Sequence, residues 1–133
     1  MAEFPTKVAR VLDCIVAHAR DDANVLAVAL YGSHARGDAR PDSDIDVCLM
    51  LEPARYEPLA LSEKKLEYLG LSDADVQVFQ QLPLYIRHRV LKEAKFLFVR
   101  DEDRLYELAF RTAQAWEDFR PYYQRYLDEV ARG

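Results

Sequence analysis

The sequence of 133 residues predicts a mixed α/β or α+β domain built on one sheet. Three observations predict it. Short apolar runs rich in β-branched residues alternate with segments of helical periodicity, in the order helix, strand, strand, helix, strand, helix, strand, helix. Half of the residues are hydrophobic, which suits one compact core and leaves little for a second. No internal repeat, low-complexity tract or domain-scale linker interrupts the pattern, so residues 1–133 read as a single domain with a C-terminal helical segment over 101–133.

From Pro5 to Arg20, the apolar residues Val8, Val11, Leu12, Ile15, Val16 and Ala19 recur at helical spacing, with Pro5 suited to the first turn. Asn24–Tyr31 is an apolar run stopped by Gly32, the pattern of a buried strand. After a polar stretch from Ser33 to Ser43, Asp44–Leu51 first alternates and then becomes wholly apolar, a second strand. Leu61–Leu69 reads as a helix with Ser62 as cap and Gly70 as stop. Asp75–Phe79 is a third strand, Pro83–Ala94 a helix and Lys95–Val99 a fourth strand. From Asp101 a long helix is expected, its acidic start favoured by the helix dipole, with Pro121 kinking or restarting it.

The formal charge of −5, without a run of Lys or Arg, argues against stable binding to nucleic acid. Cys14 and Cys48 both sit in apolar stretches and are expected as buried free thiols. The N-terminus Met1-Ala2-Glu3-Phe4-Pro5 carries no leader pattern, and no apolar run nears the ~20 residues of a membrane span. A cytoplasmic chain with no membrane partner is expected.

The chemistry concentrates between Tyr31 and Asp75. Gly32 and Ser33 end a strand and open His34-Ala35-Arg36-Gly37, long enough for one helical turn. Unsatisfied backbone N–H groups there would face an anion, Gly32 would let a phosphate approach the backbone, and Ser33 would add a hydroxyl. Ten residues separate Ser33 from Asp44, and Asp46 follows two positions later. Strand alternation puts Asp44 and Asp46 on one face, roughly 6 to 7 Å apart at Cα, with Ile45 and Val47 on the other. Two such carboxylates can bracket a pair of divalent cations, and magnesium takes carboxylate and phosphate oxygens together. Asp75, at the head of the next strand, is the third acid if the two strands are neighbours, and Asp73 is the competing choice. Asp42-x-Asp44-x-Asp46 also mimics a calcium loop, but Val47 stands where that loop needs Gly and Pro53 where it needs Glu. No Walker sequence and no Gly-x-Gly-x-x-Gly is present.

The stretch Tyr31-Gly32-Ser33-His34-Ala35-Arg36-Gly37-Asp38-Ala39-Arg40-Pro41-Asp42-Ser43-Asp44-Ile45-Asp46-Val47 resembles the signature of the DNA polymerase β-like nucleotidyltransferase superfamily. In particular it is similar to the minimal nucleotidyltransferases, the MNT antitoxins that accompany HEPN-type toxins. The resemblance implies a short mixed sheet flanked by helices and a triphosphate, from ATP, held by Gly32 and Ser33. It implies two Mg2+ ions on Asp44 and Asp46, with Asp75 at the third acidic position, and Arg36 steadying phosphate or the local turn. A surface pairing of Arg36 with Asp38 or Asp42 is the alternative. Larger relatives carry a further domain for the acceptor, so here the acceptor surface is expected from a partner. The implied reaction is AMP transfer from ATP to a tyrosine of a HEPN-type toxin. The rival readings are a non-catalytic antitoxin acting by binding, and a transferase acting on a small molecule or an RNA end.

Other residues carry weaker expectations. His34 reads as an exposed loop histidine without a role, with contact to a phosphate or the acceptor as the alternative, and His18 and His88 as surface or half-buried structural residues on helices. Arg87, His88, Arg89 and Lys92 form a small basic cluster, by default a solvated helix face, with contact to a nucleotide or a partner as the alternative. Tyr106, Phe110, Trp116, Phe119, Tyr122, Tyr123 and Tyr126 exceed what one helix face can bury, so most are expected in the core and the surplus near Trp116–Tyr126 suits a partner surface.

Overall fold

The computed structural model describes residues 4–132. The N-terminal reading at Met1, Ala2 and Glu3 lies outside the described residues, as does Gly133 at the end of segment 101–133. The chain forms α1 (Thr6–Arg20), β1 (Val25–Tyr31), α2 (Ser33–Arg36), β2 (Asp46–Leu51), α3 (Pro58–Leu69), β3 (Asp75–Val78), α4 (Leu84–Glu93), β4 (Lys95–Val99) and α5 (Glu102–Arg132), with a 3-10 turn over Phe79–Gln81. The strands lie in the order β3-β2-β1-β4. β1 pairs antiparallel with β2 and β4, whereas β2 and β3 run parallel, so the sheet is mixed.

Both faces of the sheet are covered, which explains why β1 and the end of β2 are continuous apolar runs rather than alternating ones. On one face Leu12 and Ile15 of α1 and Tyr68 of α3 pack on Val28, Leu30, Val47, Leu49 and Val76. On the other, Val90 of α4 joins Ala29, Cys48, Met50 and Phe79, with Leu105 and Leu108 of α5 against them. A bulge between Val25 and Ala27 lets Leu26 and Ala27 enter the same core in succession. Burying a side chain the size of Leu26 stabilises by roughly 1.5–3 kcal/mol.

Several boundaries differ from the sequence reading. α3 starts at Pro58 rather than Leu61, because proline's fixed φ suits a first helical turn; Ser62, expected as the cap, instead accepts a hydrogen bond from Gln81. α5 is one helix with Pro121 inside it, and it is not restarted there. Trp116, Phe119 and Tyr123 contact one another across that position and hold the two sides together where the proline removes a backbone bond. Cys14 is exposed, outside the buried stripe of α1, while Cys48 is buried; both are free thiols. The aromatics of α5 are mostly not core: Tyr106, 73% exposed, lies on the side of the first half away from Leu105 and Leu108, and Tyr122, 65% exposed, lies in the second half. Among the described residues, no helix is long and apolar enough to cross a membrane.

Two long-range polar anchors were invisible to periodicity. The Arg100 guanidinium donates to the carbonyls of Ala19, Arg20 and Asp22 at the end of α1, and to Val25. Asp22 accepts from Lys64 Nζ at 2.8 Å, Tyr68 Oη at 2.9 Å and the Asn24 N–H at 3.1 Å. Burial pushes the Asp22 carboxyl up, but these donors outweigh it and hold it below the ordinary carboxylate range. A depressed acid stabilises above its unfolded pKa and loses that contribution as pH falls through the folded value. Asp22→Asn is therefore expected to cost about 1–3 kcal/mol at neutral pH, with the deficit closing below about pH 4. Urea denaturation of both chains across pH checks this; a deficit independent of pH would refute it.

Candidate active site

β1 delivers Tyr31 to the sheet end, and Gly32 turns the chain there with φ 76° and ψ −154°, a region reserved for glycine. The absence of a side chain also matters, since a Cβ on Gly32 would collide with Oδ2 of Asp46. α2 follows immediately and ends on Gly37 in the left-handed region, φ 85°. The amides of Ala35 and Arg36 bond back to the Gly32 carbonyl. Those of Ser33 and His34 precede the first helical acceptor and have no backbone partner among the described residues. His34 is half-buried rather than loose, its Nε2 lying 3.4 Å from the Ser43 carbonyl, so it ties α2 to the turn that leads into the acids.

β2 begins at Asp46, two residues later than expected; Asp44 is exposed and precedes the strand. The extended path nonetheless starts before it, because the Ile45 carbonyl accepts from the Asp75 N–H at 2.8 Å. Ile45 and Val47 both enter the core beneath α1 and α3. Asp46 faces the other way, beside Tyr31 of β1 and directly opposite Asp75 of β3. Asp73 lies in the bend before β3.

The acids repel one another. Burial first, then the charges of Asp75 and Asp44, push the Asp46 carboxyl above its ordinary range, with His34 and Arg36 giving partial relief. Tyr31 is held protonated by burial, reinforced by Cys48, Asp46 and Asp75. Uncompensated carboxylates side by side are the donor set of a hard cation. Among the described residues no group of three acids, histidines or cysteines forms a ready cage. Magnesium needs none, since it keeps waters and binds through one or two carboxylates plus substrate phosphates.

Arg36 completes the rim. Its Nε lies 3.3 Å from Asp38 and its Nη1 3.4 Å from Glu93 at the end of α4; Asp42 is not its partner. Glu93 carried no motif signal, because its link to Arg36 spans 57 residues of chain.

The sequence profile of the family described as "Polymerase beta, Nucleotidyltransferase" matches residues 14–103, the span containing Gly32, Ser33 and all three acids. The chain belongs to the polymerase β nucleotidyltransferase family. Such a nucleotidyltransferase is an enzyme of group transfer. A relative from Methanocaldococcus jannaschii, named as a candidate protein adenylyltransferase, is 33% identical over 99 residues, covering 72% of this chain and 73% of that protein. A chain from the crystal structure of a toxin–antitoxin complex with AMP-PNP superposes with a TM-score of 0.70 at 22% identity, covering 90% of this chain and 98% of the other. A chain from the Shewanella oneidensis complex of tri-AMPylated HEPN toxin and MNT antitoxin gives 0.69 at 17% identity, covering 93% and 98%. At such identities the two structures establish the nucleotidyltransferase fold, whose short mixed sheet this chain reproduces.

Proposed function

We propose that this nucleotidyltransferase transfers AMP from ATP to a tyrosine hydroxyl of a HEPN-type toxin, acting as its antitoxin. The observation that carries the reading is the adjacency of Asp46 and Asp75 beneath Gly32, beside the free Ser33 and His34 amides. Gly32 and Ser33 bind the triphosphate, and Arg36 steadies it. Asp46 and Asp75, with Asp44 just before β2, would hold two Mg2+ ions completed by water and substrate phosphate oxygens, and those ions would supply neutralisation of phosphate charge. The acceptor oxygen attacks that phosphorus, the bond to the β-phosphate breaks, and pyrophosphate leaves. Asp75 takes the proton of the attacking hydroxyl and passes it to solvent.

The acceptor reading draws support from the toxin–antitoxin complexes among the similar folds and from the M. jannaschii relative. The far half of α5 presents Phe119, Tyr122, Tyr126, Leu127 and Val130 to solvent, an aromatic face suited to a partner. The test is incubation with labelled ATP, magnesium and the product of the neighbouring gene, read by intact mass. The expected result is a gain of one or more AMP on that product, lost with EDTA and restored by magnesium. Inhibition of the partner without mass gain would replace transfer by simple occlusion.

A further inference from the structure

α4 and α5 enclose a second feature beside the acids. A cavity of about 500 Å3 is lined on α4 by Tyr85, His88, Arg89, Lys92 and Glu93, and on α5 by Trp116 and Tyr123. The α4 residues are spaced three and four apart, so they form one stripe, about 12 Å long by helical rise. Its far end, Glu93, is the residue that meets Arg36 on the rim of the candidate active site. The stripe therefore ends at the rim of that site, on the sheet face that Asp46 shares.

The lining has a particular chemistry. His88 stacks on Trp116 with ring centroids 4.9 Å apart, and Tyr85 stacks on Tyr123 at 5.3 Å. Trp116 and Tyr123 join the two pairs at 5.6 Å. Arg89 and Lys92 are exposed, and neither has an acidic partner among the described residues, in contrast to Arg36, Lys64, Arg104 and Arg111. Two exposed cations beside four aromatic rings suit a flat heteroaromatic ring tethered to negatively charged groups.

We infer that this cavity is the base subsite for the donor nucleoside triphosphate, with Trp116 as its stacking platform and Arg89 and Lys92 as its cationic edge. The inference deepens the proposed function and rests on it for the position of the phosphates at Gly32 and Ser33. The base lies against the rings while the triphosphate reaches past Arg36.

The chain has a single tryptophan, so its emission reports this cavity alone. MgATP is expected to quench Trp116 saturably, whereas inorganic tripolyphosphate should displace ATP without quenching. By isothermal titration, Trp116→Ala should weaken MgATP about tenfold. Trp116→Phe should restore most of that affinity, and Lys92→Glu, at an exposed position, should weaken it without lowering thermal stability. Normal ATP affinity in Trp116→Ala and Lys92→Glu, with unmoved emission in the wild type, would place the base elsewhere and overturn the inference. Quenching by ATP in a chain that modifies no partner would leave the subsite intact and sink the transfer reading instead. Wild-type protein that binds no ATP would overturn both.

Discussion

Asp46→Asn is expected to lower AMP transfer about a thousandfold or more while leaving the folded chain at least as stable as wild type. Asp46 sits opposite Asp75 and beside Tyr31, the centre of the acidic face. Its carboxyl is pushed up by burial and by Asp75 and Asp44, so at neutral pH the free protein carries repulsion that an amide removes. The same substitution takes a charged oxygen from the proposed cation site, where charge neutralisation would supply several kcal/mol of transition-state stabilisation. Activity and stability should thus move apart, the mark of a residue retained for chemistry rather than folding. Transfer measured by intact mass, with Tm from calorimetry, checks both arms. Transfer within tenfold of wild type would remove Asp46 from the mechanism, and a fall in Tm would mean that the carboxylate is structural.

Gly32→Ala should show the opposite coupling, with activity and stability lost together. The backbone at Gly32 occupies a region that costs an L-residue about 1–3 kcal/mol. A methyl group there also meets the Asp46 carboxylate, so the strand end or the acid must shift. Displacement of either by about 1 Å is enough to lower a positioned reaction about a hundredfold. The expected result is a Tm lower by several degrees and transfer reduced at least that far. Gly37→Ala is the control: Gly37 shares positive φ, but nothing lies within 4 Å of its added Cβ. It should carry the backbone cost without the collision, and equal losses of activity in both variants would refute the role given to the contact.

Much of the element order was legible because it rests on local periodicity. Val8, Leu12, Ile15 and Ala19 announce α1, and the run from Val25 to Leu30 announces a strand buried on both faces. Errors fell where local rules compete. Ser62 is a good cap residue, yet Pro58 opens α3 a turn earlier. Cys14 has apolar neighbours in sequence, yet lies outside the buried stripe of its helix. Most rings of α5 were expected in the core by helical spacing, but Tyr106 and Phe110 of its first half meet solvent, since Leu105 and Leu108 take the face of that half that packs on the core.

The sequence by itself singled out the candidates for chemistry: the Gly32–Ser33 turn, the spacing to Asp44 and Asp46, and the alternation that separates Asp75 from Val76. These follow from backbone geometry within a few residues, which any reading of periodicity captures. Only the tertiary structure decided that β3 lies parallel beside β2, bringing Asp75 opposite Asp46 across 29 positions of chain. It alone joined Glu93 to Arg36 and gathered His88, Arg89, Lys92 and Trp116 around one cavity. Strand order and helix docking are set by how buried faces fit one another, and that fit is a property of the packed whole.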